Sequence, residues 1–219
     1  MSTAEKPLRP LRADAERNRQ LLLDAAKVLF AERGLQVSLD DIAKHAGVGV
    51  GTAYRRFGSR AELIEALFDE RIDQMAGLAE ECIAIEDPWE GLVSFIVRST
   101  ELQSSDRGLK EILLGSNEGQ EKIGQIRERM RPLGTTLVQR AKDSGDLRPD
   151  FEPPDLPMLQ IMLGSIADAS ATVEPDLWRR YLSMVLIAMR PGSELDGPPP
   201  PDWEQMNDVL QCWRPPRRD

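Results

Sequence analysis

Apolar residues along this chain recur at spacings of three and four, the signature of amphipathic helices rather than of half-buried strands. Leu22, Ala26, Leu29 and Phe30 form one such stripe, and with Gly34 as a stop they predict a first helix over 14–33. In SLDDIAKHAG, Ser38 is placed to cap a second helix whose first turn holds Asp40 and Asp41, where carboxylates meet the positive end of the helix dipole. Ile42, Ala43 and Ala46 form its apolar face, and Gly47 ends it. A short third helix is expected over 50–57. Ser59 with Glu62 three residues on reads as a capping box, opening a fourth helix along Leu63, Ile64, Leu67, Phe68, Ile72 and Met75 toward Cys82.

Pro88 suits the first turn of a fifth helix with Trp89, Leu92, Val93, Ile96 and Thr100 on one face. Helical patterns follow over 107–114 and over 118–143, the latter interrupted or kinked at Pro132. Beyond the turn GDLRPD they continue over 155–171 and 176–189. PGSELDGPPPPD, residues 191–202, is a proline-rich linker before a last short helix over 203–213 and a basic end. No period-two stretch and no internal repeat stands out, so the reading is all-α with about nine helices.

Residues 47–60, GVGVGTAYRRFGSR, set alternating glycines beside three arginines and invite comparison with phosphate-binding loops. A dinucleotide fingerprint would need a third glycine at Thr52 or Tyr54, a Walker loop needs Gly-Lys-Ser/Thr, and both need a preceding strand where DDIAKHA is helical. What remains is helix, glycine turn, short helix: the helix-turn-helix of DNA readers. Gly49 and Gly51 let the backbone at the start of the second helix approach a phosphate, and Thr52, Tyr54, Arg55 and Arg56 supply donors within one and a half turns.

Charge agrees with this placement. The net charge of -9 divides into +4 over 1–60, with eleven basic and seven acidic residues, and -13 over the rest, with 17 basic and 30 acidic. A polyanion-binding end on an acidic body follows. Cys82 and Cys212 lack metal-ligand spacing, the single histidine, His45, has no partner ligand, and no carboxylate pair stands out as catalytic. The expectation is a non-enzymatic, cytoplasmic protein with no membrane span, no metal and no cofactor.

LLLDAAKVLFAERG followed by SLDDIAKHAGVGVGTAYRRFGSRAELIEALF resembles the DNA-binding domain of the tetracycline-repressor (TetR) family of bacterial transcription regulators, through its A-x-x-L-F, I-A-x-x-A-G-V and T-x-Y-x-x-F pattern. The resemblance implies a homodimer with three N-terminal helices for operator DNA. It also implies a helical body that binds a small effector and dimerises through its last two long helices, about 155–171 and 176–189. The expected division is a flexible basic arm over 1–13, the helix-turn-helix domain over 14–58, the effector and dimerisation domain over 59–190, and a tail over 191–219.

Carried over by residue, Ser38 opens the second helix beside a phosphate, Gly51 and Thr52 open the recognition helix, and Tyr54 packs on the DNA backbone. Arg55 and Arg56 face the groove or phosphates, and Arg60 starts the fourth helix beside a phosphate. Relatives commonly show Ser at 49 and Lys or Arg at 50; Gly49 and Val50 remove a side-chain cap and a cation, leaving Val50 to pack or to touch a thymine methyl. Arg9 and Arg12 of the arm are candidates for a minor groove. The family layout places Trp89, Phe95, Met130, Met158 and Met162 at an effector pocket, with ordinary core as the competing reading for each. The functional expectation is a ligand-responsive repressor. The alternatives are a protein-interaction regulator with weakened DNA binding and, further off, an enzyme in the helical body.

Overall fold

The stripe of Leu22, Leu23, Ala26, Leu29 and Phe30 does become one buried helical face, around which the N-terminal part of the molecule is built. The computed structural model describes residues 9–104, 117–192 and 196–212. Its helices are α1 (Arg9–Arg33), α2 (Leu39–His45), α3 (Val50–Phe57), α4 (Arg60–Ile83), α5 (Pro88–Ser104), α6 (Asn117–Asp143), α7 (Asp155–Ser170), α8 (Leu177–Met189) and α9 (Trp203–Cys212), with one 3-10 turn, Gly34–Gln36. No strand occurs among the described residues. The helical signal over 107–114 and the basic end past residue 212 lie outside them.

Two expectations are corrected. Helix α1 begins at Arg9 and not at residue 14, so 9–13 are helical backbone rather than arm. Pro10 sits in the first turn, where no intrahelical N–H is required, and LRADAER continues with good helix formers. Helix α6 runs through Pro132 without interruption. Pro132 and Glu128, whose carbonyl loses its intrahelical donor to the proline, are both exposed, so water can serve that carbonyl.

The chain forms two compact units, divided between Glu70 and Arg71 within α4. In the first, the α1 stripe packs with Val37, Leu39, Ile42, Ala43, Ala53, Phe57, Leu63, Leu67 and Phe68, all buried. In the second, Leu92, Phe95 and Ile96 of α5 join Leu137 and Val138 of α6, Leu159 and Leu163 of α7, and Trp178 and Leu182 of α8 in one core. Two arginines tie the connections of this unit to helix ends. Arg140 donates to the carbonyls of Ile83, at the end of α4, and Ile85 beyond it. Arg148, in the α6–α7 turn, is buried; it donates to the Ala188 carbonyl in the last turn of α8 at 2.9 Å and pairs with Asp150.

Helix α9 is held by its own start signal and by the second unit. Asp202 and Gln205 exchange side chain to backbone hydrogen bonds, Met206 is buried, and the Arg131 guanidinium of α6 lies 4.9 Å from the centroid of the Trp203 ring. The tail tryptophan thus covers α6.

Candidate nucleic-acid interface

Helix α2 starts where Ser38 stands, because its Oγ accepts from the Asp41 N–H while the Asp41 carboxylate accepts from the Ser38 N–H: a capping box with Asp in the third position. Hydrogen bonds from the Ser38 hydroxyl and N–H hold the Asp41 carboxyl below the usual carboxylate range. At the other end Gly47 adopts φ +67, a left-handed conformation that a side chain would oppose, and Val48 N–H returns to the Ala43 carbonyl at 3.0 Å. The chain re-enters helix at Val50, with Gly49 as N-cap.

The three alternating glycines therefore do different work. Gly47 is required by the turn. Gly49 and Gly51 have ordinary backbone angles; a Cβ on Gly49 would meet the Thr52 hydroxyl at an unstrained 3.7 Å, and one on Gly51 would meet nothing within 4 Å. The fold itself does not demand glycine at either position. What their absent side chains leave is bare backbone at the start of α3, where N–H groups and the helix dipole favour an anion.

Successive residues of an α-helix are rotated by about 100°. Ala53 and Phe57 are buried and define the inner side of α3. Gly51 and Arg55 then lie opposite, exposed, with Thr52 beside them. Arg55 Nη2 donates to Thr52 Oγ1 at 3.0 Å. Half-buried Val50 leans toward the core, while Tyr54 and Arg56 occupy the two flanks. The Tyr54 phenol hydrogen-bonds to the Asp40 carboxylate of α2, which raises its pKa above the ordinary tyrosine value. Arg56 turns the other way, its Nη2 3.1 Å from Glu16 Oε2 of α1.

Arg60 is absorbed by the fold. Its Nε donates to the Val37 carbonyl at 2.8 Å, and its guanidinium stands 5.4 Å from the centroid of the Phe30 ring. His45 is exposed at the end of α2. Sequence reasoning missed Asp40, Glu16 and Val37 as partners of the site. The last two lie 40 and 23 residues from the arginines they hold, where no local spacing signals a contact.

In the second unit, the five side chains expected at an effector pocket have different surroundings. Phe95 is core, Met130 packs against that core, and Trp89 lies under the Arg190 guanidinium at 3.9 Å. Met158 is half-buried and Met162 is exposed. A cleft of 610 Å³ lies elsewhere, lined by residues of α4 and α5 that include Asp73, Gly77, Leu78, Glu81, Arg98 and Glu101. Its carboxylates are paired: Asp73 with Arg129 at 2.6 Å, Glu81 with Arg98 at 2.7 Å, and Glu101 with Arg179. Among the described residues no group of His, Cys, Asp and Glu could hold a metal ion, and no helix is long and apolar enough to cross a membrane.

Residues 22–67, which contain α2, the glycine turn and α3, match the family "Bacterial regulatory proteins, tetR family", and residues 87–191 match "Transcriptional regulator SbtR-like, C-terminal domain". The chain belongs to the TetR family. That is a family of helix-turn-helix transcriptional regulators and not of enzymes, so the enzyme alternative falls. The HTH-type transcriptional regulator SAR0097 of Staphylococcus aureus is 42% identical over 88 residues, 39% of this chain and 46% of that protein. SrpR of Pseudomonas putida is 31% identical over 128 residues, 58% of this chain and 59% of that protein. The chain thus spans about half the length of these two relatives. It is also 30% identical to the uncharacterized HTH-type transcriptional regulator TtgW, likewise of Pseudomonas putida, over 58% of this chain and 93% of that one.

Among solved TetR-family structures, the regulator from Mycobacterium vanbaalenii is 28% identical with a TM-score of 0.64, covering 83% of this chain and 99% of its own. SmeT, the repressor of the Stenotrophomonas maltophilia multidrug efflux pump SmeDEF, shares the fold at 24% identity and TM-score 0.61, over 85% and 100% of the two chains. The matched C-terminal region ends at residue 191, so α9 lies beyond it.

Proposed function

We propose that this TetR-family chain is a ligand-responsive repressor that binds a pseudo-palindromic operator as a homodimer. The observation that carries the DNA reading is the outer side of α3. Bare backbone at Gly49 and Gly51 adjoins Thr52, Tyr54 and Arg55, donors of the kind that engage phosphates and base edges, and the capping residue Ser38 opens the neighbouring helix. Each recognition helix would enter one of two major grooves about 34 Å apart, or a related spacing. Arg56 and Arg60 rank below Thr52, Tyr54 and Arg55 as contacts, because the Arg56 guanidinium turns toward Glu16 of α1 and that of Arg60 is held against the Val37 carbonyl and the Phe30 ring.

Dimerisation is proposed through α7 and α8. Trp178, Leu182 and Met189 turn α8 toward the core, and on its opposite side Met184 and Ile187 stand exposed, with Tyr181 at the edge and Met162 exposed on α7. Apolar side chains in that position favour burial against a second copy. For the effector, the α4–α5 cleft is the candidate, since it offers about 610 Å³, although none of the five sequence candidates lines it. An effector there would shift the population toward a spacing of recognition helices that no longer fits the operator.

The test is a mobility-shift titration on the DNA upstream of the chain's own gene. Tyr54→Ala and Arg55→Ala should each weaken binding while sedimentation shows the dimer unchanged. Unaltered affinity and salt dependence in both variants would remove the contact assignment, and a near-zero salt slope for the wild type would remove DNA binding itself. The effector arm uses a thermal-shift ligand screen, in which Gly77→Leu, by filling the cleft, should abolish the shift given by any hit; a retained shift would place the effector elsewhere.

A further inference from the structure

The two adjacent arginines of α3 are treated differently by the fold. Arg55 is on the outer side and bonds within its own helix, to Thr52. Arg56 is drawn to α1, where Glu16 Oε2 takes its Nη2 at 3.1 Å and Glu16 Oε1 lies 3.8 Å from Arg19 Nη1. One carboxylate thus engages two cations, one on each oxygen. Its side chain is 64% exposed and that of Arg56 33%, so the pair is too solvated to be a main support of the fold.

Resting on the DNA reading above, we infer that Glu16 is a positioning residue that sets the sequence-independent affinity for DNA: by holding the Arg56 guanidinium against α1, it keeps one cation of the recognition helix off the phosphate backbone. Sequence-independent affinity grows with every phosphate a protein neutralises, whereas discrimination comes from base edges and DNA shape. An arginine withheld from phosphate lowers the first term and leaves the second intact. Glu16 therefore lowers the sequence-independent affinity, which operator and non-operator DNA share, and leaves the discrimination by base edges and DNA shape unchanged. Arg56 is poised for the opposite effect, since it lies on a flank of the helix whose outer side would face the groove.

The test uses the full chain and a fluorescein-labelled duplex of random sequence, with binding followed by anisotropy between roughly 50 and 200 mM salt. Glu16→Gln should tighten binding about threefold and steepen the slope of log K against log salt by about 0.9 for each recognition helix engaged. Arg56→Gln alone should stay near the wild type, and the double variant should match Arg56→Gln. Two results overturn the inference. If Glu16→Gln tightens binding equally in the Arg56→Gln background, it acts by removing a repelling charge and not by releasing Arg56. If Arg56→Gln weakens binding as much as Arg55→Gln, Arg56 already touches phosphate. Failure of the DNA reading is distinct: the wild type itself would then show no salt-dependent binding, and the inference would fall with it.

Discussion

Two glycines of the second unit, Gly77 in α4 and Gly91 in α5, should respond to alanine with opposite signs. At Gly91 an added Cβ would stand 2.6 Å from the Cys82 carbonyl oxygen, with the Ile85 Cβ at 3.7 Å. That carbonyl is main chain in the last turn of α4 and accepts the Ile85 N–H at 3.3 Å, so no side-chain rotation relieves the clash. Helix α5 would have to retreat by several tenths of an ångström from a close-packed neighbour, an overpacking cost of about 1–3 kcal/mol. Alanine returns about 0.5–1 kcal/mol through helix propensity, leaving a net loss of about 1–2 kcal/mol. At Gly77 the Cβ meets nothing within 4 Å, so only the propensity gain remains. For a chain of this size, Gly91→Ala should lower Tm by about 3–6 °C and Gly77→Ala raise it by about 1–3 °C. Scanning calorimetry and urea midpoints would measure both. A Gly91→Ala protein as stable as the wild type would refute the close-approach argument, and a destabilised Gly77→Ala would refute the claim that α4 is open there.

Three further outcomes are expected. Arg148→Ala removes the donor to the Ala188 carbonyl and the buried guanidinium that pairs with Asp150; because Ala188 and Asp150 are themselves exposed to water, the cost should be about 1–2 kcal/mol, read as a fall in the urea midpoint at unchanged m. The Asp41 carboxyl, held low by Ser38, contributes stability that is fully present above the ordinary aspartate pKa and lost as pH falls through its depressed value; Ser38→Ala should flatten that acid limb of the stability curve, and an unchanged limb would detach Asp41 from it. Ile187, at 77% exposure, anchors the apolar side of α8, so Ile187→Glu should shift the sedimentation profile toward monomer; a persisting dimer would move the interface off α8.

What could be read from the sequence was local. Helix α3 over 50–57, the Ser38 cap and the helix stop at Gly47 each depend on residues within a few positions, because caps, helical stripes and turns are short-range devices. The TetR-type helix-turn-helix is made wholly of such devices, and it was legible together with the residues on its outer side. The start of α1 was missed because the apolar stripe begins only at Leu22, while Pro10 and the helix formers after it extend the helix back to Arg9.

Only the tertiary structure decided which polar groups of that motif remain available. Arg56 and Arg60 are the same residue type as Arg55 and close to it in sequence, yet Arg56 is drawn to Glu16 by the packing of α1 and Arg60 to the Val37 carbonyl by the placement of α4 beside the segment before α2. The surroundings of the five apolar candidates for an effector pocket were likewise set by tertiary packing. Spacing places a side chain on a face of its helix, but whether that face meets core, cavity or solvent depends on its neighbours, and here Phe95 met core, Trp89 met Arg190, and the open volume formed between α4 and α5.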